Sequence, residues 1–348
     1  MLNVNLRIAK EAVMKLVPLG RPIVAMGSPG IGKTEIMKQA AKALAIGCKV
    51  TEASSLDPTD TRGIPYVTDG ESKYGRPSIL PDVKKDGEKG LLVIDELASC
   101  MPAVQVSLYP LFLERRLGDY PLPKGWVPMG TGNYSSDNAV AYSLSTALTD
   151  RVFILNITPD FQVWKEDFAF ANGINADIIS FLNWRPELFY TFDKRDKTAK
   201  GKAFASPRSY ELASDALRAG LGDDALMAVL AGCLGEGVAL EFMAFRKVSQ
   251  GLPDIKKIYT GKHNTVPDTD KPDVLYALTG ALVSFLSRLP EELTKTMAME
   301  RFFEYSMKLP PEFTVLAVKD ALPLHKQDVV KSKNWGTFSK KFRDLVPM

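Results

Sequence analysis

The chain has 348 residues, 45% of them hydrophobic and 24% charged, enough for two packed domains of ordinary size. Its 44 Lys+Arg against 41 Asp+Glu leave a formal charge of +3, too slight for binding nucleic acid or anionic membrane through bulk electrostatics. Cys48, Cys100 and Cys233 lie far apart without a CxxC pair, and His263 and His325 are the only imidazoles, which excludes a disulfide framework, a zinc knuckle and His-based triads or metal sites.

Arg7, Lys10 and Glu11 interrupt the first apolar segment, so no signal peptide is expected. Ala225 to Phe245, the most apolar long stretch, contains Glu236, Glu241 and several glycines and suits a buried helix pair better than a membrane span. With unpaired cysteines, this makes the cytoplasm the expected location.

Leu6 to Leu16 has apolar residues at helical spacing and stops before Pro18 and Pro22. Ile23 to Met26 predicts a strand, Gly27 to Thr34 a glycine-rich loop, and Glu35 to Ala45 a helix. A second strand is expected over Lys49 to Ala53, followed by an ordered insertion from Asp57 to Asp82 with a hairpin at Asp69-Gly70. Leu91 to Ile94 is the uninterrupted aliphatic run of a strand buried on both faces; a helix over Pro102 to Arg115 and strands over Trp126 to Thr131 and Val152 to Ile157 follow. Strands alternating with helices predict a three-layer α/β domain with a parallel sheet. Beyond Pro159 the strand signal fades, and helices are expected over Val163 to Leu182, Arg208 to Leu217, Asp223 to Lys247 and Val274 to Leu289, with a polar loop from Asp254 to Lys271.

The chemistry concentrates in a few places. Gly27-Ser28-Pro29-Gly30-Ile31-Gly32-Lys33-Thr34 matches GxxxxGK(S/T) between a strand and a helix, the context the motif requires. Its glycines let backbone N–H groups turn toward one anion, the helix start adds its positive dipole end, Lys33 reaches terminal phosphates and Thr34 offers a hydroxyl to Mg2+. The nucleotide-binding set is therefore Gly27, Ser28, Pro29, Gly30, Ile31, Gly32, Lys33, Thr34 and the adjoining Glu35. Asp95 and Glu96 close the run Leu91 to Ile94 as a Walker B pair, Asp95 suited to hold Mg2+ and Glu96 to polarise the attacking water. The two motifs together point to an ATPase rather than a binding module alone.

Asn133, after Gly130-Thr131-Gly132, puts a neutral amide near that water, although by itself such an Asn is often a turn residue. Arg151, beside Asp150, sits at a domain edge where it can reach a neighbouring subunit's nucleotide or form a local ion pair; Arg115 and Arg116 compete for that role or cap their own helix. Ser206-Pro207-Arg208 reads as a helix start, and an arginine in a first turn opposes the helix dipole unless an anion such as a phosphate partners it.

In this order GSPGIGKT, LDPTDTRGIPY, GRPSILP, LLVIDE, LERR, GTGN, ALTDR and SPRS resemble the AAA+ ATPases, and more narrowly the MoxR-like branch, over about residues 5 to 220. The resemblance implies an AAA+ core with Walker A on Gly27 to Thr34, Walker B on Asp95 and Glu96, sensor 1 on Asn133, an arginine finger on Arg151 and sensor 2 on Arg208. It also implies ATP and Mg2+ as cofactors and a homo-oligomeric ring, usually hexameric, that remodels a client protein, with von Willebrand factor A domain proteins among the partners of this branch. The expected organisation is an α/β nucleotide-binding domain over residues 1–158, a helical lid over 159–250 and a helical C-terminal extension over 251–348.

Tyr66 and Tyr74 on the insertion are expected to pack rather than grip a polypeptide. The basic, aromatic segment from His325 to Arg343 admits nucleic acid, but Asp328 and Asp344 interrupt it and an amphipathic tail docking its aromatics on the lid fits better. A nucleic-acid motor and a slow, nucleotide-locked scaffold are the rival readings. A GTPase is disfavoured because no NKxD-type segment is found.

Overall fold

The computed structural model describes residues 2–134, 142, 144–192 and 201–342. The chain forms two compact units, Met1–Asp160 and Phe161–Met348. Among the described residues no helix is long and apolar enough to cross a membrane.

The first unit begins with β1 (Asn3–Val4), α1 (Leu6–Leu16), β2 (Ile23–Met26), α2 (Lys33–Ala43) and β3 (Gly47–Glu52). An insertion follows, made of α3 (Pro58–Arg62), the hairpin β4 (Pro65–Thr68) and β5 (Glu71–Tyr74), and α4 (Val83–Asp86). Then come β6 (Lys89–Asp95), α5 (Pro102–Leu113), a small ribbon of β7 (Arg116–Leu117) and β8 (Tyr120–Pro121), β9 (Gly125–Gly132), α6 (Thr146–Thr149) and β10 (Phe153–Ile157). Six strands make one sheet in the order β1-β10-β2-β9-β6-β3, every pair parallel. Leu91, Leu92, Val93 and Ile94 are fully buried, as a central strand covered on both faces demands. This is the AAA+ P-loop fold, a parallel sheet with flanking helices, followed by a helical region.

β9 lies between β2 and β6, so the loops after these three strands share one edge of the sheet. Ile94 is paired with Gly130, which brings Asp95, one residue on, level with Thr131. Gly130 and Gly132 are required by packing: a Cβ on Gly132 would lie 2.9 Å from the Met26 sulfur and 3.0 Å from Cβ of Ala98, and one on Gly130 3.1 Å from the Leu97 and Val24 side chains.

The insertion turns at Asp69 and Gly70, both at positive φ, as an Asp-Gly hairpin prefers. Its base is tight: Tyr120 donates its hydroxyl to the Tyr74 carbonyl (2.8 Å), and the Arg62 guanidinium sits 5.1 Å from the centre of the Tyr74 ring. Tyr74 thus packs as expected, whereas Tyr66 does not: with Ile64 and Val67 it is exposed, because β4–β5 is a separate two-stranded ribbon with no second layer over it.

The second unit is helical. It contains α7 (Phe161–Trp164) running into a π-turn over Lys165–Ala169, α8 (Ala176–Trp184), α9 (Pro207–Arg218), α10 (Asp223–Leu234), α11 (Glu236–Gln250), α12 (Ile255–Tyr259), α13 (Pro272–Leu286), α14 (Lys295–Ser306), α15 (Pro311–Lys331) and α16 (Trp335–Lys341). One expected helix is broken, and the expected helix pair divides at a glycine. Between Val163 and Leu182 the chain turns at Gly173, φ +62°, and restarts when Asn175 accepts the Asp177 N–H; between Asp223 and Lys247 it breaks at Gly235, φ +88°. The expected loop from Asp254 to Lys271 contains α12, whose Ile258 and Tyr259 are buried.

Two hydrophobic clusters fill this unit, one over residues 161–245 with Ala277, the other over residues 258–342. Phe338 and Phe342 belong to the second, Phe338 lying 5.8 Å from Phe303, so the last aromatics are core of the C-terminal bundle rather than a solvated tail on the lid; Arg343 and Asp344 lie outside the described residues. Lys165 and Asp320 form a buried ion pair at 2.6 Å, their side chains 3% and 5% exposed, with Asn183 bonded to both.

Candidate functional site

The loop after β2 closes against the end of β10: a Cβ on Gly27 would lie 2.5 Å from the Ile157 carbonyl oxygen and 2.7 Å from the Ile31 side chain. Gly30 (φ +78°) and Gly32 (φ +99°) hold left-handed backbone that L residues rarely adopt. Gly32 is the N-cap of α2 and brings no side chain to its first turn, which leaves the helix start to an external acceptor.

Lys33 is the first residue of α2 and only 9% exposed. Its ammonium donates to the carbonyls of Gly27 (2.7 Å) and Ser28 (2.9 Å) and to Oδ1 of Asn133 (2.8 Å). The loop therefore surrounds a cation it has already oriented. Thr34 donates its hydroxyl to the Asp95 carboxylate, at 2.9 Å from Oδ1 and 2.8 Å from Oδ2. Glu35 follows in the first turn of α2 and accepts from Gln39 at 3.3 Å, facing α2 rather than the loop's lysine.

Asp95 ends β6, and the chain then turns on Glu96, which has φ +56°. Leu97 donates its N–H to the Thr131 carbonyl (2.8 Å), and the Leu97 carbonyl in turn accepts from Gln105 (3.2 Å) and from the Cys100 thiol (3.2 Å). Burial pushes that thiol up to about 11, as expected of a packed, protonated cysteine. Among the described residues no hydrogen bond or ion pair engages the Glu96 carboxylate, which is half-buried.

Lys33, Thr34, Asp95, Glu96 and Asn133 thus come together at the tips of β2, β6 and β9. Thr131 joins them and was not among the residues singled out from sequence. Its hydroxyl bonds to Oδ1 of Asp95 and accepts the Glu96 N–H at 3.2 Å. The signal for it was the Gly-Thr-Gly pattern itself, a single side chain between two glycines at a strand end.

The arginines separate. Arg115, at φ +58°, donates to the Trp126 carbonyl (3.2 Å) and to the Gly20 carbonyl, and partial burial with Arg21 nearby lowers its pKa. It ties its own domain together instead of capping α5 or projecting outward. Arg116 pairs with Glu114 at 2.6 Å and with the Gly118 carbonyl at 2.8 Å. Arg151, just after α6, keeps 52% of its side chain exposed beside Asp150 at 3.9 Å, in an open groove lined by Thr146, Thr149, Asp150 and Arg151. Arg208 lies in the second unit, exposed in the first turn of α9, whose N-cap Ser206 forms a capping box with Ser209.

The donor set fits a nucleotide polyphosphate with magnesium. Backbone N–H groups at a helix start, a desolvated ammonium, and one hydroxyl beside one carboxylate are what that pair of ligands requires. Among the described residues no three His, Cys, Asp or Glu stand together as a metal cage, so a cation here would take Thr34, Asp95 and the substrate's own oxygens.

Residues 22–124 match the family model of the AAA domain, dynein-related subfamily, a span that contains Gly27 to Thr34 and Asp95-Glu96. No curated protein matches the chain. Solved structures similar to it include a point mutant of RuvB from Thermotoga maritima, 19% identical, with a TM-score of 0.40, over 76% of this chain and 78% of that one. A Cytophaga hutchinsonii protein assigned as an ATPase is 15% identical, with a TM-score of 0.34, over 98% of this chain and 89% of its own. NtrX from Brucella abortus, solved in complex with ADP, is 12% identical, with a TM-score of 0.34, over 97% and 68%.

Proposed function

We propose that this chain is a MoxR-like AAA+ ATPase that hydrolyses ATP with Mg2+ in a ring of its own copies, usually hexameric in that branch, and uses the cycle to remodel a client protein. The observation that carries the reading is the junction of Lys33, Thr34, Asp95 and Asn133 at three adjacent strand ends, with the Glu96 carboxylate next to it.

In this reading the loop from Gly27 to Gly32 wraps the phosphates with backbone N–H groups, and the Lys33 ammonium turns from the loop carbonyls toward the terminal phosphate. Thr34 and Asp95 would hold magnesium, which when bound neutralises charge on the phosphate oxygens. Glu96 accepts the proton of the attacking water at its carboxylate, and the Asn133 amide orients that water. Arg151, exposed at a corner of the first unit, serves a neighbouring copy; the internal bonds of Arg115 support choosing Arg151 over it. Arg208 is proposed as the lid's phosphate sensor, with residues 159–250 as the lid and 251–348 as the extension. Three unpaired cysteines support a cytoplasmic setting. The client, of which a von Willebrand factor A domain protein is the kind expected, is a proposal from the family resemblance.

The test pairs Glu96→Gln with sedimentation. The variant should bind ATP as the wild type does and lose turnover by about 100-fold or more. With Mg-ATP it should sediment as a ring, and an added Arg151→Ala change should prevent or impair its assembly. Undiminished turnover removes Glu96 from the chemistry; a monomer under all conditions overturns the ring.

A further inference from the structure

Glu96 holds an unusual backbone for a residue with a long side chain. It stands at φ +56°, a left-handed conformation in which Cβ crowds the following carbonyl, and such conformations persist where the surroundings impose them. Here the surroundings are identifiable. The Glu96 N–H is shared between Oδ1 of Asp95, at 3.1 Å, and the Thr131 hydroxyl, at 3.2 Å, while the next N–H, that of Leu97, goes to the Thr131 carbonyl at 2.8 Å. Thr131 thus grips two successive amides of the turn from its side chain and its main chain. The same hydroxyl bonds to Oδ1 of Asp95, the carboxylate that also accepts from Thr34.

The inward fit is just as specific. Thr131 is 1% exposed, and the glycines on either side leave the opposite face of β9 clear for Leu97 and Ala98 to cross it. A hydroxyl this deep finds both a donor and an acceptor, and each of them is a Walker B residue. Its position follows from register: Asp95 and Thr131 stand level on adjacent strands.

We infer that Thr131 is a positioning residue for the hydrolytic step, one that sets where the Glu96 carboxylate stands by holding the Glu96 backbone and the Asp95 carboxylate in one network. It acts through Glu96 and touches neither nucleotide nor water. The inference rests on the proposed ATPase reading. A side chain swung by a peptide rotation moves by an ångström or more, and displacements of that size cost about 10- to 100-fold in rate.

The decisive variants are Thr131→Val, which keeps shape and removes the hydroxyl, and Thr131→Ser, which keeps the hydroxyl. Thr131→Val should lower kcat about 10- to 100-fold while KM for ATP stays within about 3-fold, and Thr131→Ser should retain most of the wild-type kcat. Residue-resolved amide exchange on the nucleotide-free protein should show the Glu96 N–H exchanging faster in Thr131→Val and near wild type in Thr131→Ser. A wild-type kcat in Thr131→Val, equal impairment in both variants, or unchanged Glu96 exchange overturns the inference. Should valine disturb folding, Thr131→Ala removes the same hydroxyl and is read the same way. Glu96→Gln separates the two failures: if it still hydrolyses ATP the hydrolytic reading fails, and if it is inactive while Thr131→Val is not, only the role of Thr131 fails.

Discussion

The ammonium of Lys33 and the amide oxygen of Asn133 are 2.8 Å apart, although 100 residues separate them in the chain. The bond joins the first turn of α2 to the tip of β9, so the Asn133 amide holds the lysine in addition to the water-orienting role proposed for it. Lys33→Ala should abolish nucleotide binding, losing at least about 100-fold in affinity by isothermal titration. Asn133→Ala should bind ATP within about 5-fold of wild type and lose about 10- to 100-fold in kcat, since in the proposed mechanism the water and not the phosphate depends on it. Parallel losses in both measurements would make Asn133 part of the grip instead.

Arg115 and Arg151 should respond in opposite ways. Arg115→Ala strips two hydrogen bonds from the part-buried carbonyls of Trp126 and Gly20, worth about 1 kcal/mol each, so its denaturant midpoint should fall. Arg151→Ala removes an exposed side chain with an ion pair to Asp150 at 3.9 Å, and its stability should change by no more than about 0.5 kcal/mol. Turnover at assembling concentrations should reverse the order. Urea unfolding beside phosphate release tests both halves.

In the helical unit, Asp320→Ala should cost about 3–5 kcal/mol, because it strands the Lys165 ammonium at a site where its side chain is 3% exposed. The double change Lys165→Met with Asp320→Leu should recover most of that loss, as apolar groups of similar volume replace the pair without a charge left over. Chemical denaturation of the two variants decides it; a double variant as unstable as the single one would assign the cost to packing.

His325 gives a pH dependence of known sign. It is half-buried at the kink after Pro323, accompanied by the Ser287 hydroxyl at 3.1 Å, and desolvation chiefly, with Lys295, lowers its pKa despite Asp328. A folded-state pKa below the unfolded value means the unfolded chain binds more protons in the window just below about pH 6.5. The contribution is therefore present above that pH and lost as pH falls through the folded value. Thermal unfolding at about pH 7.5 and pH 5.5 should show a drop that is smaller in His325→Gln.

How much of this was legible depends on range. Local signals carried far: the helix Leu6–Leu16, the strand Ile23–Met26 and the Asp69-Gly70 turn follow from periodicity and turn chemistry and stand where those signals put them. The site was legible where loop and strand-end motifs are contiguous, as in Gly27 to Thr34 and Asp95-Glu96. For Thr131 the Gly-Thr-Gly pattern marks the position but not its partners, which come from the register of β9 on β6 that no single segment encodes. The internal use of Arg115 was not legible, because its left-handed backbone turns a chain that composition alone continues as helix. Phe338 and Phe342 read as the apolar side of a surface tail because Phe303, the ring partner of Phe338, is distant in sequence and lies on a helix that periodicity does not separate out.

The placement of β9 between the strands that carry the glycine loop and the carboxylates also bears on which length changes the chain can survive. Faces alternate strictly along a strand, so one residue gained or lost within Gly125–Gly132 would turn Thr131 and Asn133 to the side now kept clear by Gly130 and Gly132. The Asp69-Gly70 tip, bordered by exposed side chains, has no such parity to keep. Natural variation in length should accumulate at that tip and be purged from β9, and a library of single-codon insertions would show the same contrast.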